Sequence, residues 1–368
     1  MQAKKGFFEK YIKGENADET AALLAVVSIF LPYIISAIVL IIVTARALIL
    51  KESRKKILGG KDGKIVLVFM LLNAAAPFYY KNYLGVACFF GMSGILLFAL
   101  YLRSTMTQRL FSRISDAAAY MSMCCAVAAS FIKAPEHDMR SPSVFFNPNY
   151  YGAMITFVIL LCAYRIISKE GNRPFLVATI LVNVYGLFMA DCQSAFFAIA
   201  FGLWVLLLFK KCYKSFAAVT VVGVIAIVFL PQLTFIMPRI SGAFENILKR
   251  ADIWKAGFNA FLETPFFGRG LMGYTQIYAD FSAPKNFHCH NMFIDMLLSF
   301  GVVGSIPLII FVVRNLTKIK GKKTAPLILA LCASVLLHGL VDVTLIWIQT
   351  GAFAAFLLSA PYIEKEYK

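Results

Sequence analysis

The stretch that decides the fold is residues 291–313, which read NMFIDMLLSFGVVGSIPLIIFVV and contain one charged side chain, Asp295. A helix needs about 20 predominantly apolar residues to cross the hydrocarbon core of a bilayer. This run therefore predicts a membrane-spanning helix. The whole chain has the same character, since 60% of its 368 residues are hydrophobic and only 15% are charged. A soluble domain carries about 25% charged residues, so a water-soluble enzyme is excluded.

Runs of this kind recur along the chain. They cover 21–43, 65–80, 82–102, 116–134, 150–168, 174–191, 193–209, 216–236, 291–313, 326–345 and 347–363. Pro32 could break the first run, so we expect ten to twelve spans. The predicted fold is an all-α polytopic membrane protein, a single integral domain over residues 1–368 with about 11 transmembrane helices.

The distribution of Lys and Arg predicts the orientation, because cytoplasmic loops carry an excess of these residues. The loops form two alternate sets. The set richer in cations is 44–64, 103–115, 165–174, 210–215, 314–325 and the C-terminal tail, against 1–20, Lys81, 133–149 and 237–290. The richer set is predicted to be cytoplasmic, which places the N-terminus outside. The net charge of +17 is then explained by topology rather than by nucleic-acid binding.

Residues 237–290 form a long loop that this orientation places on the external face. Loops of such length are usually functional or disordered, and the many aromatic side chains here argue against disorder. Within the loop, 245–262 has helical periodicity. One stripe of this helix would carry Ile247, Arg250, Trp254, Phe258 and Phe261. We predict a short amphipathic helix in the membrane plane, followed by a tight return through Gly268 and Gly270.

Two of the four histidines lie in the segment Phe287-His288-Cys289-His290-Asn291, at the outer end of the span 291–313. An imidazole suits a general base at neutral pH, and His290 is the first candidate, with His288 second. The alternative is that His290 or Asn291 caps the helix. His288, Cys289 and His290 are too closely spaced to bind one zinc ion together, so no metal and no cofactor is predicted.

His338 and Asp342 are spaced i, i+4 near the outer end of the span 326–345, which would place them on one helical face. Polar side chains in an apolar helix must pair or line a wet cavity. Asp342 could orient His338 and raise its basicity. Alternatively, the two side chains could hold neighbouring helices together.

Arginines on the predicted outer face are candidates for binding phosphate, because a guanidinium group donates two parallel hydrogen bonds. They are Arg140, Arg239, Arg250 and Arg269. Arg250 is the first candidate, because it shares a helical stripe with Trp254 and other aromatic side chains. Arg269, between two glycines, and Arg140 follow. The alternative is that these side chains reach the lipid headgroups.

The order of these features resembles the O-antigen ligase and polymerase family of bacterial envelope glycan assembly. The family pattern is R-x3-W, P-x-x-G-x-G, H-N and G-x-x-G. The matching residues are Arg250 to Trp254, Pro265 to Gly270, His290-Asn291, and Gly301 to Gly304, with Asn147-Pro148-Asn149 and His338-x3-Asp342 as further matches. The resemblance covers roughly residues 140–345. One departure is Gln193, which stands where the family often has an arginine.

The resemblance implies polymerisation of lipid-linked repeat units of O-antigen, capsule or exopolysaccharide. Glycosyl transfer would run from an undecaprenyl diphosphate-linked oligosaccharide to a sugar hydroxyl, without metal and with inversion at the anomeric carbon. His290 would be the general base and Arg250 the catalytic cation. Diphosphate or sugar would be bound by Arg269, Arg140, His338, Asp342, Trp254 and Asn291.

The same resemblance implies a multi-pass glycosyltransferase of the bacterial cytoplasmic (inner) membrane, with its active site on the outer face. Its partners would be the lipid-linked donor, a glycan acceptor and membrane lipids, and a chain-length regulator or flippase could assist; no nucleic acid is expected. The alternatives are a ligase that passes the glycan to another acceptor, and a flippase or transporter of the same lipid. Spans nearly free of charge at mid-depth favour catalysis on the outer face over transport.

Overall fold

The computed structural model describes residues 15–135, 139–229, 232 and 243–365, and over these residues the chain is all-helical, with one isolated bridge between Ala134 and Arg140. The described helices are α1 Glu15–Ser28, α2 Tyr33–Ile49, α3 Lys51–Leu58, α4 Lys61–Asn73, α5 Ala75–Tyr79, α6 Tyr83–Thr105, α7 Gln108–Ala128, α8 Pro148–Ile167, α9 Arg173–Ala190, α10 Gln193–Phe209, α11 Tyr213–Val228, α12 Ala243–Glu263, α13 Tyr274–Ile277, α14 Met292–Thr317, α15 Ala325–Gly339 and α16 Ile348–Leu357. A 3-10 helix follows at Ala360–Lys365. The predicted all-α class is confirmed for the described residues.

Five of the described helices are long and apolar enough to cross a membrane, and a sixth span is formed if the bent pair α2–α3 counts as one. They are Lys61–Tyr79, Tyr83–Thr105, Pro148–Ile167, Arg173–Ala190 and Met292–Thr317. Four shorter apolar helices of 10–17 residues lie in further predicted spans. The number of about 11 spans therefore remains a prediction. Residues 233–236, at the end of the predicted span 216–236, lie outside the described residues.

The N-terminal region differs from the predicted single span 21–43. The chain turns between α1 and α2, where Pro32 precedes the first residue of α2 and cannot continue a helix. The two helices pack against each other, and Arg46 Nη1 lies 2.6 Å from Asp18 Oδ1. Residues near Asp18 thus lie at the same end of the molecule as Arg46, which belongs to the predicted cytoplasmic loop 44–64. The prediction that 1–20 lies on the opposite side is wrong for its described part.

Helix α8 forms the centre of the molecule, and its residues from Tyr150 to Leu161 are all buried. It contacts α7, α9, α10, α15 and α16. The start of α8 is fixed by its sequence, since Asn147 Oδ1 accepts a hydrogen bond from the backbone N–H of Asn149 and Pro148 occupies the first helical position. Asn149 is thereby held at the end of α8 that faces the site described below.

Helix α14 is broken at Gly301, where φ is +63°. The return loop after α12 packs into this break through its main chain. Arg269 N donates to Leu298 O at 2.8 Å and Val302 N donates to Pro265 O at 2.8 Å. Any side chain at Gly301 would collide with the backbone of Phe266, because a Cβ atom would lie 2.3 Å from its carbonyl carbon. The break is tolerable because its backbone groups are bonded within the protein.

The predicted helix 245–262 is confirmed as α12, but its buried face differs from the predicted stripe. Ile253, Ala256 and Ala260 are buried, and the helix packs on α14. Of the predicted stripe, Phe261 is buried, whereas Ile247 and Phe258 are exposed. The tight backbone return is also confirmed, with positive φ angles of 63° at Gly268 and 83° at Gly270. Residues 237–242 of the long loop lie outside the described residues.

Candidate active site

Two loops meet beside the start of α8: the segment that precedes α14 and the segment between α15 and α16. Asp342, in the second loop, is only 1% exposed. Its Oδ2 accepts a hydrogen bond from Asn149 Nδ2 at 2.7 Å, and its Oδ1 accepts one from the backbone N–H of Val343 at 2.8 Å. Helix α15 ends at Gly339, so Asp342 does not share a helical face with His338 as predicted. The turn after Gly339 directs the carboxylate toward the first loop instead.

Two histidines of the first loop approach the same oxygen of Asp342. His290 Nδ1 lies 3.4 Å and His288 Nε2 lies 3.6 Å from Asp342 Oδ1, and the two imidazole rings are 4.5 Å apart. Burial alone would raise the pKa of the Asp342 carboxyl, but His290, with smaller contributions from His288 and His338, holds this pKa well below its ordinary value. Asp342 is therefore an ionised carboxylate in a buried position.

His288 is neutral in this environment. Burial, followed by the charge of His290, lowers the pKa of His288 to about 3, while Asp342 opposes the shift and Arg250 adds to it. His288 Nδ1 accepts a hydrogen bond from the backbone N–H of His290 at 3.1 Å. A neutral imidazole has one N–H group, so the proton of His288 resides on Nε2, which faces Asp342 and the Tyr150 hydroxyl at 3.3 Å.

The backbone around His290 is held by its neighbours. Trp254 Nε1 donates to the carbonyl oxygen of His290 at 3.1 Å, and the φ angle of His290 is +47°. Asn291 is the cap of α14, because its Oδ1 accepts from the backbone N–H groups of Phe293 and Ile294. Asn291 also donates to Leu340 O at 3.1 Å, which joins the two loops. Capping thus accounts for Asn291 and leaves the His290 side chain available for another role.

The cluster of His288, His290 and Asp342 is compact enough to be tested as a metal site, since its ligand atoms lie within 4.8 Å of one another. A metal-bound imidazole usually donates its other N–H group to an acceptor. Here the second nitrogen of each ring faces a donor instead: His288 Nδ1 faces the N–H of His290, and His290 Nε2 lies 2.7 Å from Asn286 Nδ2. These donors place a proton, rather than a lone pair, on each nitrogen that faces Asp342. The donor set therefore fits a metal ion poorly.

The arginines predicted as phosphate ligands occupy different surroundings. Arg140 is buried, and it donates from Nε to Ala190 O at 2.8 Å and from Nη2 to Asn149 Oδ1 at 2.7 Å. Arg140 thus orients the amide that contacts Asp342. Arg269 is paired with Glu263 at 2.7 Å and lies over the ring of Tyr80. Arg239 lies outside the described residues.

Of the three candidate arginines among the described residues, Arg250 has the most freedom to bind a ligand. It is half-buried on α12, and over residues 15–135, 139–229 and 243–365 its side chain makes no ion pair or hydrogen bond. Its charge reaches His288, because it contributes to the low pKa of that residue. The structure therefore brings Arg250 into the electrostatic neighbourhood of His288.

His338 belongs to a separate contact. Its Nε2 lies 2.9 Å from Ser194 Oγ, at the start of α10, and the side chain is buried. This bond joins α15 to α10. His338 therefore holds neighbouring helices together, which was the alternative considered for it in the sequence. Gln193, the departure from the family pattern, is the first residue of α10 and precedes Ser194.

Three contributors to the site could not be identified from residue type alone. Tyr150 contacts His288, Trp347 stacks on Tyr150 with ring centroids 4.4 Å apart, and Asn286 contacts His290. The motif Asn147-Pro148-Asn149 indicated a helix start, which is correct, but it gave no sign that Asn149 would reach Asp342. Because 193 positions separate Asn149 from Asp342, only the packing of α8 against the second loop reveals this contact.

Over the described residues, the fold and the site define an all-helical membrane protein with a buried carboxylate–histidine cluster beside the helix that carries Arg250. Residues 178–309 match the family model described as O-antigen ligase. This match confirms the resemblance seen in the sequence. The matched stretch includes Arg250 and His290, whereas Arg140, Asn149 and Asp342 lie outside it. A search of curated proteins found no significant match.

Proposed function

We propose that the protein transfers a glycan from a polyprenyl diphosphate to a hydroxyl of an acceptor, with His290 as the general base. The observation that carries this proposal is the convergence of His290 and Asp342. An ionised carboxylate beside Nδ1 stabilises the imidazolium that forms when Nε2 takes a proton, as in other carboxylate–histidine pairs. General base catalysis contributes about 10²–10⁴-fold to rate, or roughly 3–5 kcal/mol.

In the proposed glycosyl transfer, one bond to the anomeric carbon forms as another breaks. The acceptor oxygen forms a bond to the anomeric carbon while its proton passes to His290 Nε2. The bond between that carbon and the diphosphate oxygen breaks, and the lipid diphosphate leaves with the electron pair. Attack from the face opposite the leaving group inverts the anomeric configuration. His290 returns its proton to water or to the departing diphosphate.

The leaving diphosphate gains negative charge in the transition state, and positioned cations stabilise such charge best in a partly buried site. Arg250 is the proposed cation, because it is half-buried near the histidines and has no carboxylate partner over the described residues. Arg269 is neutralised by Glu263 at 2.7 Å, and Arg140 is engaged with Asn149. These two arginines would therefore contribute less than Arg250, and a diphosphate would have to displace Glu263 to engage Arg269.

Two acceptors fit the same chemistry. A polymerase uses a hydroxyl of another lipid-linked repeat, and a ligase uses a hydroxyl of a different lipid or glycan. Of the two, we propose polymerisation of lipid-linked repeats on the external face of the bacterial cytoplasmic membrane. A ligase is the second candidate, and the description of the matching family favours it. A flippase is the third, but it would not require an ionised carboxylate beside a histidine.

The test is substitution in the native host. We expect His290→Gln and Arg250→Ala each to abolish long glycan and to cause single lipid-linked repeats to accumulate on the outer leaflet. A ligase would instead leave long lipid-linked glycan unattached to its acceptor. Glycan length would be read by gel electrophoresis, and the lipid-linked pool by mass spectrometry.

The matched control for Arg250→Ala is Lys249→Ala. Lys249 is the preceding residue of α12, its side chain is 61% exposed, and it is paired with Glu245. This variant removes one cation from the same helix and should leave glycan length unchanged. Normal glycan in both His290→Gln and Arg250→Ala would refute the proposed site. Accumulation of repeats only on the cytoplasmic leaflet would support a flippase instead.

A further inference from the structure

The amide of Asn286 has one orientation that satisfies its contacts. Asn286 Oδ1 accepts a hydrogen bond from the backbone N–H of Phe287 at 2.9 Å. The Nδ2 group therefore points the other way, and it lies 2.7 Å from His290 Nε2. The orientation of an amide is assigned from its hydrogen-bond partners, and here both partners agree.

This contact determines where the proton of neutral His290 resides. An amide N–H group can only donate, so His290 Nε2 must present its lone pair to Asn286. The single N–H group of the neutral ring is then on Nδ1, which lies 3.4 Å from Asp342 Oδ1. Among the described residues, His290 Nδ1 has no well-aligned hydrogen-bond partner. The contact with Asp342 by itself therefore constrains the tautomer only weakly. The short bond from Asn286 is the stronger constraint.

The lone pair on Nε2 is the atom that a general base needs, and Asn286 covers it. An acceptor hydroxyl that is to be deprotonated must donate to this same lone pair within hydrogen-bond distance. The hydroxyl and the Asn286 amide therefore compete for one position. Asn286 is half-buried in a segment without regular secondary structure, between the exposed residues Lys285 and Phe287, so its side chain can rotate outward.

We propose that Asn286 is a positioning residue, which holds His290 in the Nδ1–H tautomer and occupies the place that the acceptor hydroxyl takes during reaction. The claim that Asn286 fixes the tautomer of His290 concerns the protein alone. The claim that Asn286 occupies the place of the acceptor hydroxyl rests on the proposed function of His290 as the base. Asn286 prepares the ring for the acceptor by presenting an N–H donor where the acceptor presents an O–H donor. When the amide leaves, His290 already has its lone pair directed at the incoming hydroxyl.

The tautomer can be measured directly in the full chain. Nitrogen-15 NMR of protein labelled at histidine distinguishes a ring nitrogen that carries a proton from one that does not. The chain has four histidines, and subtraction of the His290→Gln spectrum assigns the signals of His290. At neutral pH we expect a proton on Nδ1 and none on Nε2. A proton on Nε2 in the unmodified protein would overturn the proposal.

Two substitutions at Asn286 separate positioning from packing. In Asn286→Asp the carboxylate accepts, so Nε2 should gain a proton and activity should fall by about 10²–10⁴-fold, the full contribution of a general base. In Asn286→Ala the lone pair is uncovered, and activity should stay within about tenfold of the unmodified enzyme. Equal losses in both variants, with Nε2 unprotonated in both, would indicate a merely structural role and would overturn the proposal.

The control for charge is Lys285→Gln, which changes the loop by one unit of charge at the exposed neighbouring residue and should leave both the tautomer and the activity unchanged. Unchanged signals of His288 and His338 in Asn286→Asp would verify that the variant is folded. If His290→Gln retained activity while the tautomer of His290 were as proposed, the catalytic assignment would fail and the positioning of the ring by Asn286 would stand.

Discussion

Asp342 carries the negative charge of the site, and each of its neighbours directs a proton toward it. Asn149 and the backbone of Val343 donate hydrogen bonds to it, and His288 and His290 direct ring nitrogens toward it. A buried carboxylate is stable only when such donors replace water. The same arrangement that keeps Asp342 ionised therefore also places a carboxylate beside His290, the proposed base.

Several residues of this site were predicted from the sequence, but their convergence in space was not. His290, Asp342 and Arg250 were candidates on chemical grounds, since histidines and acids near the ends of apolar runs are unusual. Their convergence could not be predicted, because it depends on a turn after Gly339 that removes Asp342 from α15. Asn286 gave no signal, since an asparagine in a loop is common and its role here depends on the distance to one ring nitrogen.

The low pKa of His288 predicts acid sensitivity. The unfolded chain binds a proton on this residue below about pH 6.5, whereas the folded protein resists protonation down to about pH 3. Stability should therefore fall as the pH drops below about 6.5, by roughly 1.4 kcal/mol per pH unit. The carboxyl of Asp342 has a lowered pKa, so its contribution is lost only as the pH falls below its ordinary value near 4. The range from pH 6.5 to pH 4.5 lies between these two values, and a variant without the His288 ring separates its contribution from those of other groups that titrate there.

The measurement is thermal unfolding of the detergent-solubilised chain at several pH values within that range. His288→Asn keeps an acceptor for the backbone N–H of His290 and removes the titrating ring. The melting temperature of this variant should depend less on pH than that of the unmodified protein. An equally steep dependence in the variant would show that other groups cause the acid sensitivity.

At the scale of elements, the hydrophobic runs in the sequence agree with the positions of the helices, but they predict the helix ends less accurately. The run 193–209 coincides with α10, and 150–168 differs from α8 by two residues or fewer at each end. The run 326–345 continues beyond the end of α15 at Gly339, because hydropathy does not detect a turn made of apolar residues. The break in α14 at Gly301 was likewise invisible, since glycine is tolerated inside a spanning helix.

The break at Gly301 yields a prediction for stability. In Gly301→Ala the Cβ atom would lie 2.3 Å from the carbonyl carbon of Phe266, and the φ of +63° would be strained. We expect a loss of about 2–4 kcal/mol, from backbone strain and overpacking together. The melting temperature and the glycan transfer activity should both fall, because the return loop of α12 is displaced.

The matched control is Gly94→Ala, in the interior of α6, where no atom lies within 4 Å of the added Cβ. Alanine is the better helix former, so this variant should be neutral or stabilised by about 0.5–1 kcal/mol. If Gly301→Ala melted at the same temperature as Gly94→Ala, the packing of the return loop into α14 would not be essential to the fold.

At the scale of the whole molecule, ion pairs join segments that were predicted to lie in the cytoplasm. Asp62, at the start of α4, contacts Arg103, Arg314 and Lys318 at the ends of α6 and α14. These contacts agree with the predicted placement of 44–64, 103–115 and 314–325 on one side. The bond between Asp18 and Arg46 adds the beginning of α1 to this side.

Reporter fusions test this arrangement. A fluorescent protein fused before residue 1, or inserted after Gly321, should fluoresce, because such proteins fold in the cytoplasm. Alkaline phosphatase inserted after Ser282 should be active, because it requires the oxidising external compartment. An active phosphatase at the N-terminus would restore the original prediction for 1–20 and would contradict the antiparallel packing of α1 on α2.

The seam between the return loop and the broken helix α14 is made of main-chain atoms, with donors at Arg269 and Val302 and acceptors at Leu298 and Pro265. The neighbouring side chains of Phe266 and Phe267 point outward and take no part in it. The seam therefore does not depend on these two side chains, and Phe266 and Phe267 can be replaced without shifting the scaffold. Proteins of this architecture can therefore present different side chains at these two positions while the loop stays fixed on the broken helix.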